Sequence, residues 1–279
     1  MADVWLPARM RPLHRAFPIR RHPAIPGVGI RYLHSVDTET NWKALARDYE
    51  TARSRPDSLD SLLEWPAQLA LIGEVRGKSI LDVGCGNGAK AVQLARLGAA
   101  HVVGVDISGE FVTPEDDALD VQLLTADLSH LDQVTALSEQ RFDVVLFLQS
   151  IGYAEDQVAT LRAARQLIKE DGILVIARSS SVRFAVERSE RDGIGLGTAY
   201  HSSAEHTYPS GWNDKILVSH RTNTFADMIN TVSEAGFRID RAVEPQLSDQ
   251  QKAAYPHKQA WLDKYIGIIL FRARPLSPA

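Results

Sequence analysis

Eight consecutive residues, Leu81-Asp82-Val83-Gly84-Cys85-Gly86-Asn87-Gly88, restrict the fold of this chain more than any other stretch. Ser79–Val83 is an apolar run too short for a helix. Three glycines follow it, and helical spacing starts at once over Ala89–Leu97, stopping at Gly98. A strand that passes through a glycine turn straight into a helix opens a βαβ unit. The alternation continues with strands predicted over His101–Val105, Gln122–Leu124, Phe142–Leu148 and Ile173–Ala177. Between them fall a short helix near Leu131–Ser138 and a longer one over Gln157–Ile168. Such strands need right-handed crossovers, which lay them parallel in one sheet covered on both faces.

Ahead of this core, Trp42, Leu45, Ala46 and Tyr49 recur at helical spacing from Asn41, and a second helix over Ser58–Ile72 is kinked or split at Pro66. Beyond it, residues 179–213 carry Gly193, Gly195 and Gly197 with little period and read as an irregular cap over the strand ends. Regularity returns with a strand over Lys215–His220, a helix over Thr224–Ala235, and strands over Phe237–Val243 and Tyr265–Ala273. The first residues stand apart: Arg9, Arg11, Arg15, Arg20, Arg21 and Arg31 face one acid, Asp3, among closely spaced prolines. An extended arm, residues upstream of a start at Met10, an arm over a partner or the active site, and a targeting peptide all fit. The expected organisation is an Arg/Pro-rich arm over 1–40 and one domain over 41–279, with N-terminal helices in 41–77 and the cap in 179–213.

At 279 residues and 44% hydrophobic content the chain can bury a full single core. A net charge of -4 gives no field to attract nucleic acid or an anionic membrane, so neither is expected as a partner. No run nears the ~20 apolar residues that span a bilayer, and no hydrophobic signal core opens the chain. The expected location is cytoplasmic, as a monomer or homodimer. Cys85 is the single cysteine; inside a glycine turn it reads as a small packing residue rather than a nucleophile. No metal-ligand spacing is present, so no metal is expected.

Three acids fall at consecutive strand ends: Asp82, Asp106 and Asp127. Open parallel sheets bind ligands beyond those ends. A glycine turn alone would suit a dinucleotide, whose pyrophosphate a helix N-terminus welcomes. Asp82, just before the turn, would repel that anion. S-adenosylmethionine brings no phosphate, but an ammonium and a sulfonium. Asp82 then faces the ammonium, Asp106 accepts both ribose hydroxyls, and Asp127 accepts from the adenine amine beside the backbone N–H of Leu128.

Leu81–Gly88, Val105-Asp106, Ala126-Asp127 and Phe142-Asp143-Val144-Val145 together resemble the class I S-adenosylmethionine-dependent methyltransferases, over roughly Trp42 to Ala273. The resemblance implies an α/β, doubly wound, Rossmann-like sheet of seven strands in order 3-2-1-4-5-7-6. Its strand 7 is antiparallel, N-terminal helices precede it, and a cap is inserted between strands 5 and 6. It adds Gly84, Cys85, Gly86, Asn87, Gly88, Ile107 and Gln149 to the cofactor residues. More narrowly, Glu64-Trp65-Pro66-Ala67, His220-Arg221-Thr222 and Ala235-Gly236-Phe237 look like a bacterial small-molecule subgroup whose first helices close over the cofactor. That places Tyr49 and Trp65 at the methionine end or sulfonium, where an aromatic face attracts a cation. The chain departs from this subgroup at Gly152, where a larger polar residue, often histidine, is expected.

Methyl transfer is an in-line displacement in which positioning supplies most of the catalysis. A base is needed only if the acceptor must lose a proton. Candidates from the cap are His206 first, then Tyr208 and His201, with Tyr200 also in the cap and Asp214 and His220 nearby in sequence. Tyr153, Arg178, Tyr200 and Trp212 are expected at the acceptor, with Arg178 binding either an anion or a carbonyl of the cap. The expected reaction is methylation of a small molecule at O, N or electron-rich carbon, such as indole C3 of a cyclic dipeptide, in secondary metabolism. The alternatives are an RNA or protein methyltransferase, or a cofactor-binding regulator or cyclase that transfers no methyl group.

Overall fold

The computed structural model describes residues 37–112, 118–202 and 205–276, so the expected arm falls outside the described residues up to position 36. Five parallel strands form the centre: β1 (Ser79–Val83), β2 (His101–Asp106), β3 (Val121–Thr125), β4 (Phe142–Leu148) and β5 (Ile168–Ser179). Two short strands, β6 (Glu205–Pro209) and β7 (Leu217–Arg221), pair antiparallel with each other, apart from the main sheet. The main sheet is completed by β8 (Phe237–Val243) and β9 (Ile268–Pro275), in the order β3-β2-β1-β4-β5-β9-β8, with β9 antiparallel to both neighbours. Within that sheet alone, this is the expected order 3-2-1-4-5-7-6.

The helices are α1 (Thr38–Arg53), α2 (Trp65–Ile72), α3 (Ala89–Arg96), α4 (Gln157–Leu167), α5 (Ser181–Asp192), α6 (Leu196–Tyr200), α7 (Phe225–Glu234), α8 (Asp249–Ala254) and α9 (Pro256–Tyr265). Apart from Ser79, Asp82 and Asp143, β1 and β4 are apolar, because both faces of the sheet are covered. Leu81, Val83, Val145 and Phe147 pack with Leu161, Ala164 and Leu167 of α4 and Val232 of α7. Ile80, Val144 and Leu146 pack on the opposite face with Leu71 and Ile72 of α2 and Ala91 and Leu94 of α3. Successive strand residues thus enter different cores, as the two-residue period requires. From β1 the chain runs to one side through β2 and β3, then returns to the other side at β4. The strand order reverses there, which opens a crevice beyond the carboxyl ends of β1 and β4.

Several local expectations change. The first helix starts at Thr38, earlier than Asn41, because the Asp37 side chain caps it by accepting from the Thr40 N–H. Pro66 sits at the start of α2, directly after a π-helical turn over Asp60–Glu64, so the expected break there is a change of helical pitch. The short helix near Leu131–Ser138 is replaced by 3-10 turns over Leu128–Gln133 and Thr135–Leu137, separated by an extended Val134 that interrupts the helical ladder. The cap is not irregular. It carries α5, capped by Ser180 and ended by a left-handed Gly193, then α6 and strand β6. α8 and α9 occupy the span between β8 and β9, where no helix is expected from periodicity. Among the described residues no helix is long and apolar enough to cross a membrane.

Candidate active site

The glycine turn owes its shape to close approach. Gly84 has φ +75, and a Cβ there would collide with Ser150, which follows β4 and donates to the Val83 carbonyl. Gly104 of β2 is equally confined, since a Cβ would lie 2.7 Å from Leu123 Cδ2 and 2.8 Å from Cys85 Sγ. Cys85 is therefore a packing residue. Its thiol is pushed well up, first by burial and then by Asp82 and Asp106, so it stays protonated.

The three strand-end acids line one cavity of about 590 Å³. Asp82 is 1% exposed, its carboxylate takes no hydrogen bond from the described residues, and Oδ1 is wholly enclosed. Burial pushes its carboxyl up to about 7, with Lys90 and Arg53 opposing and Asp106 adding. Asp106 is tied to the turn, since Oδ2 accepts from the Gly86 N–H at 2.8 Å and Oδ1 from the Ser108 N–H at 2.9 Å. Asp127 caps the following 3-10 turn, its Oδ1 accepting from the Ser129 N–H at 2.8 Å. Ile107, Leu128, Asn87, Gly86, Cys85 and Gly84 line the same cavity, whereas Gly88 does not. Gly88 is the left-handed N-cap of α3, and its missing Cβ leaves room for Leu123.

The N-terminal helices close over this cavity. Tyr49 and Trp65 both line it, with a protein cation already on one face of each ring: Arg53 at 5.0 Å from Tyr49 and Lys90 at 4.9 Å from Trp65. Lys90 reaches Asp60 Oδ1 at 2.8 Å and Gln68 Oε1 at 3.1 Å, while Arg53 also bonds Asp60. Trp42, Arg53, Asp60 and Lys90 are cavity residues that sequence reasoning missed. Only the spacing of Trp42 and Tyr49, two helical turns apart, could have signalled one of them.

A second cavity of about 400 Å³ adjoins the first, and Trp42, Tyr49, Arg53, Asp60, Gln149 and Tyr153 line both. Gln149 sits at the junction with φ +67, a left-handed conformation that is strained for a side chain of this kind. Arg178, Tyr208 and Trp212 also line the second cavity, so these expected residues come together with Tyr153. His206, His201 and Tyr200 line neither cavity. His201 is exposed, and the Tyr200 hydroxyl accepts from the Phe225 N–H at 3.0 Å, tying α6 to α7.

His206, the first of the expected bases, stands away from both cavities. It is 3% exposed and packs against Phe184, Tyr208 and His220, with Arg191 Nη1 3.4 Å from its ring nitrogens. Burial, then Arg191 and Arg188, pushes its pKa down to about 4. Its cross-strand partner on β7 is His220, which does line the cavity. His220 is 7% exposed, its Nε2 is enclosed without a partner, and its pKa is pushed down to about 3, first by burial and then by His206, Arg178 and Arg183. The pairing of β6 with β7 decides which histidine is in front.

A family model described as "Methyltransferase domain" matches residues 74–192. An uncharacterised protein of Haemophilus influenzae is 29% identical over 216 residues, covering 72% of this chain and 84% of that protein. A ubiquinone biosynthesis O-methyltransferase of Neisseria meningitidis is 32% identical over 111 residues; the match covers 36% of this chain and 44%, less than half, of that enzyme. An S-adenosylmethionine-dependent methyltransferase from Mesorhizobium loti superposes with a TM-score of 0.61 at 25% identity, covering 76% of this chain and 97% of that one. The sheet order, the acid at each of three strand ends and these likenesses agree on the domain and fold of a class I S-adenosylmethionine-dependent methyltransferase.

Proposed function

We propose that the larger cavity holds S-adenosylmethionine and that the smaller one receives a small-molecule methyl acceptor. The observation that carries this reading is the shared wall of Tyr49, Gln149 and Tyr153 between two cavities of about 590 and 400 Å³. The second volume suits a metabolite, within the usual range of small-ligand sites.

The residues present fit the cofactor. Asp82 offers a buried carboxylate with no hydrogen-bond partner among the described residues, which suits an ammonium and opposes a pyrophosphate. Asp106 keeps lone pairs for two ribose hydroxyls after accepting two backbone N–H groups, and Asp127 Oδ2 is available for the adenine amine. Bound there, S-adenosylmethionine supplies a methyl group activated by a sulfonium. Tyr49, Trp65 and Trp42 exclude water above it, and Tyr153 and Gln149 orient the acceptor against it. His206 has no access to the acceptor; among the expected cap residues Tyr208 and Trp212 do, joined by His220. Acceptors in secondary metabolism, methylated at O, N or an electron-rich carbon, fit an enclosure that sets aromatic rings such as Tyr153, Tyr208 and Trp212 beside charged groups such as Arg178.

The test is transfer of tritiated methyl from labelled cofactor to three fractions: a metabolite extract, total RNA and total protein. Label in the metabolite fraction is expected. Label confined to RNA or protein refutes the small-molecule reading, and cofactor binding without transfer to any fraction refutes methyl transfer.

A further inference from the structure

Arg178 ends β5 inside the second cavity, 7% exposed. Its Nη1 donates to Gln157 Oε1 at 3.1 Å and its Nη2 to the Arg221 carbonyl at 3.3 Å. Both acceptors are neutral, and they use two of the five N–H groups of the guanidinium. Among the described residues no carboxylate pairs with it. The other charges around this cavity are answered. Asp60 meets Arg53 and Lys90, Glu64 lies 3.9 Å from Arg53, Asp57 pairs with Arg55, and Arg183 pairs with Glu187. Lys258, also on the wall, lies in the field of Asp57.

A tie between β5 and the cap would need only an uncharged donor. Burying a cation without a counter-charge is costly, and that cost has no structural return here. The space beside it is kept open: a Cβ on Gly152 would lie 3.4 Å from Arg178 Nη2 and 3.9 Å from His220 Cβ. This is the position where a larger residue is expected by resemblance. Gln157, at the first turn of α4, holds the guanidinium in place while its own amide donates to Asn223 Oδ1 at 3.2 Å. The fork is therefore fixed by neutral groups and faces an enclosed volume with donors to spare, as a planar oxyanion requires.

Building on the methyl-acceptor reading of this cavity, we propose that the acceptor carries an oxyanion ionised at neutral pH, of the carboxylate kind, and that Arg178 is its counter-ion. The anion completes the charge balance that the lining side chains leave open around Arg178, and Gly152 provides its berth. The neutral His220 beside it adds no competing charge.

The experiment divides a metabolite extract of the source organism on an anion-exchange resin at pH 7. The retained and unretained pools are each incubated with the full-length protein and labelled cofactor. Label in a retained compound is expected, and an acceptor in the unretained pool overturns the proposal. Label in neither pool overturns the methyl-acceptor reading itself, so the two failures are distinct. Binding supplies the second readout. The retained pool is expected to raise the melting temperature of wild type loaded with S-adenosylhomocysteine and to leave Arg178→Gln unmoved, with Arg178→Lys keeping part of the shift. Arg178→Gln is expected to raise KM for the retained acceptor at least about tenfold, as loss of a charged hydrogen bond implies, with S-adenosylhomocysteine affinity unchanged by calorimetry. Calorimetry also shows that the variant is folded. An equal thermal shift in Arg178→Gln overturns the assignment.

Discussion

Replacing Asp82 by Asn tests the cofactor site where its physics is most exposed. The carboxyl has an ordinary value of 3.8 and is pushed up to about 7, mainly by burial. The folded, cofactor-free protein therefore keeps a proton that the unfolded chain releases. The contribution of this proton to stability is full below pH 3.8 and is lost as pH rises through about 7. At about 1.4 kcal/mol per pH unit, ionised Asp82 at pH 8 costs about 4 kcal/mol, of which about 3 accrue between pH 5 and 8. For a domain of this size that corresponds to roughly 6–12 °C. Scanning calorimetry of the cofactor-free proteins should show wild type losing that much more melting temperature than Asp82→Asn from pH 5 to pH 8. At pH 8 the variant should be the more stable protein. The same variant should bind S-adenosylhomocysteine at least about tenfold more weakly at pH 8, because a buried carboxylate facing an ammonium is worth more than about 1.4 kcal/mol. Parallel melting curves, or a variant that melts below wild type at pH 8, would refute the idea that Asp82 is held as an uncompensated charge awaiting a cation.

Other perturbations separate the two cavities and the packing around them. Asp106→Ala should weaken S-adenosylhomocysteine by more than about tenfold in calorimetry, through loss of a bidentate acceptor and of the bond that holds the Gly86 N–H. Gly104→Ala should lower stability by about 1–3 kcal/mol in urea titration, since its methyl group would overlap Leu123 and Cys85. Gly152→Val should raise KM for the acceptor at least about tenfold while cofactor affinity stays within about twofold, because it fills the second cavity alone. His206→Asn should change kcat by less than about threefold, whereas His220→Asn should lower acceptor turnover by about tenfold or more; the reverse order would put His206, and not His220, at the acceptor.

The donor half of this protein was legible because it is built from local signals. Asp82, Asp106 and Asp127 each lie at or just past the end of a strand whose apolar run can be read directly, and the glycines mark the turn that brings Asp82 and Asp106 together. The acceptor half was not legible in the same way. Gly193, Gly195 and Gly197 suggested an irregular cap, yet they only punctuate α5 and α6. The Ser248 to Gln251 capping box would have revealed α8 had it been weighed against the weak apolar period there. The alternating pattern does not distinguish His206 from His220, although His220-Arg221-Thr222 alone carries a likeness to the small-molecule subgroup. Both are histidines two residues from another polar or aromatic side chain in an alternating run.

What the sequence determined by itself was the sheet, the turn and the identity of the donor, because strand period, glycine placement and the sign of a charge before a turn act over a few residues. Only the tertiary structure decided what faces the acceptor. Residues 205–209 pair with 217–221, β5 carries Arg178 into the same enclosure as Gly152, and α1 brings Trp42 and Tyr49 over both. Each of those contacts joins positions far apart in the chain. Burial, which with the lack of a counter-charge among the described residues gives Arg178 and His220 their chemistry, exists only once the distant segments have met.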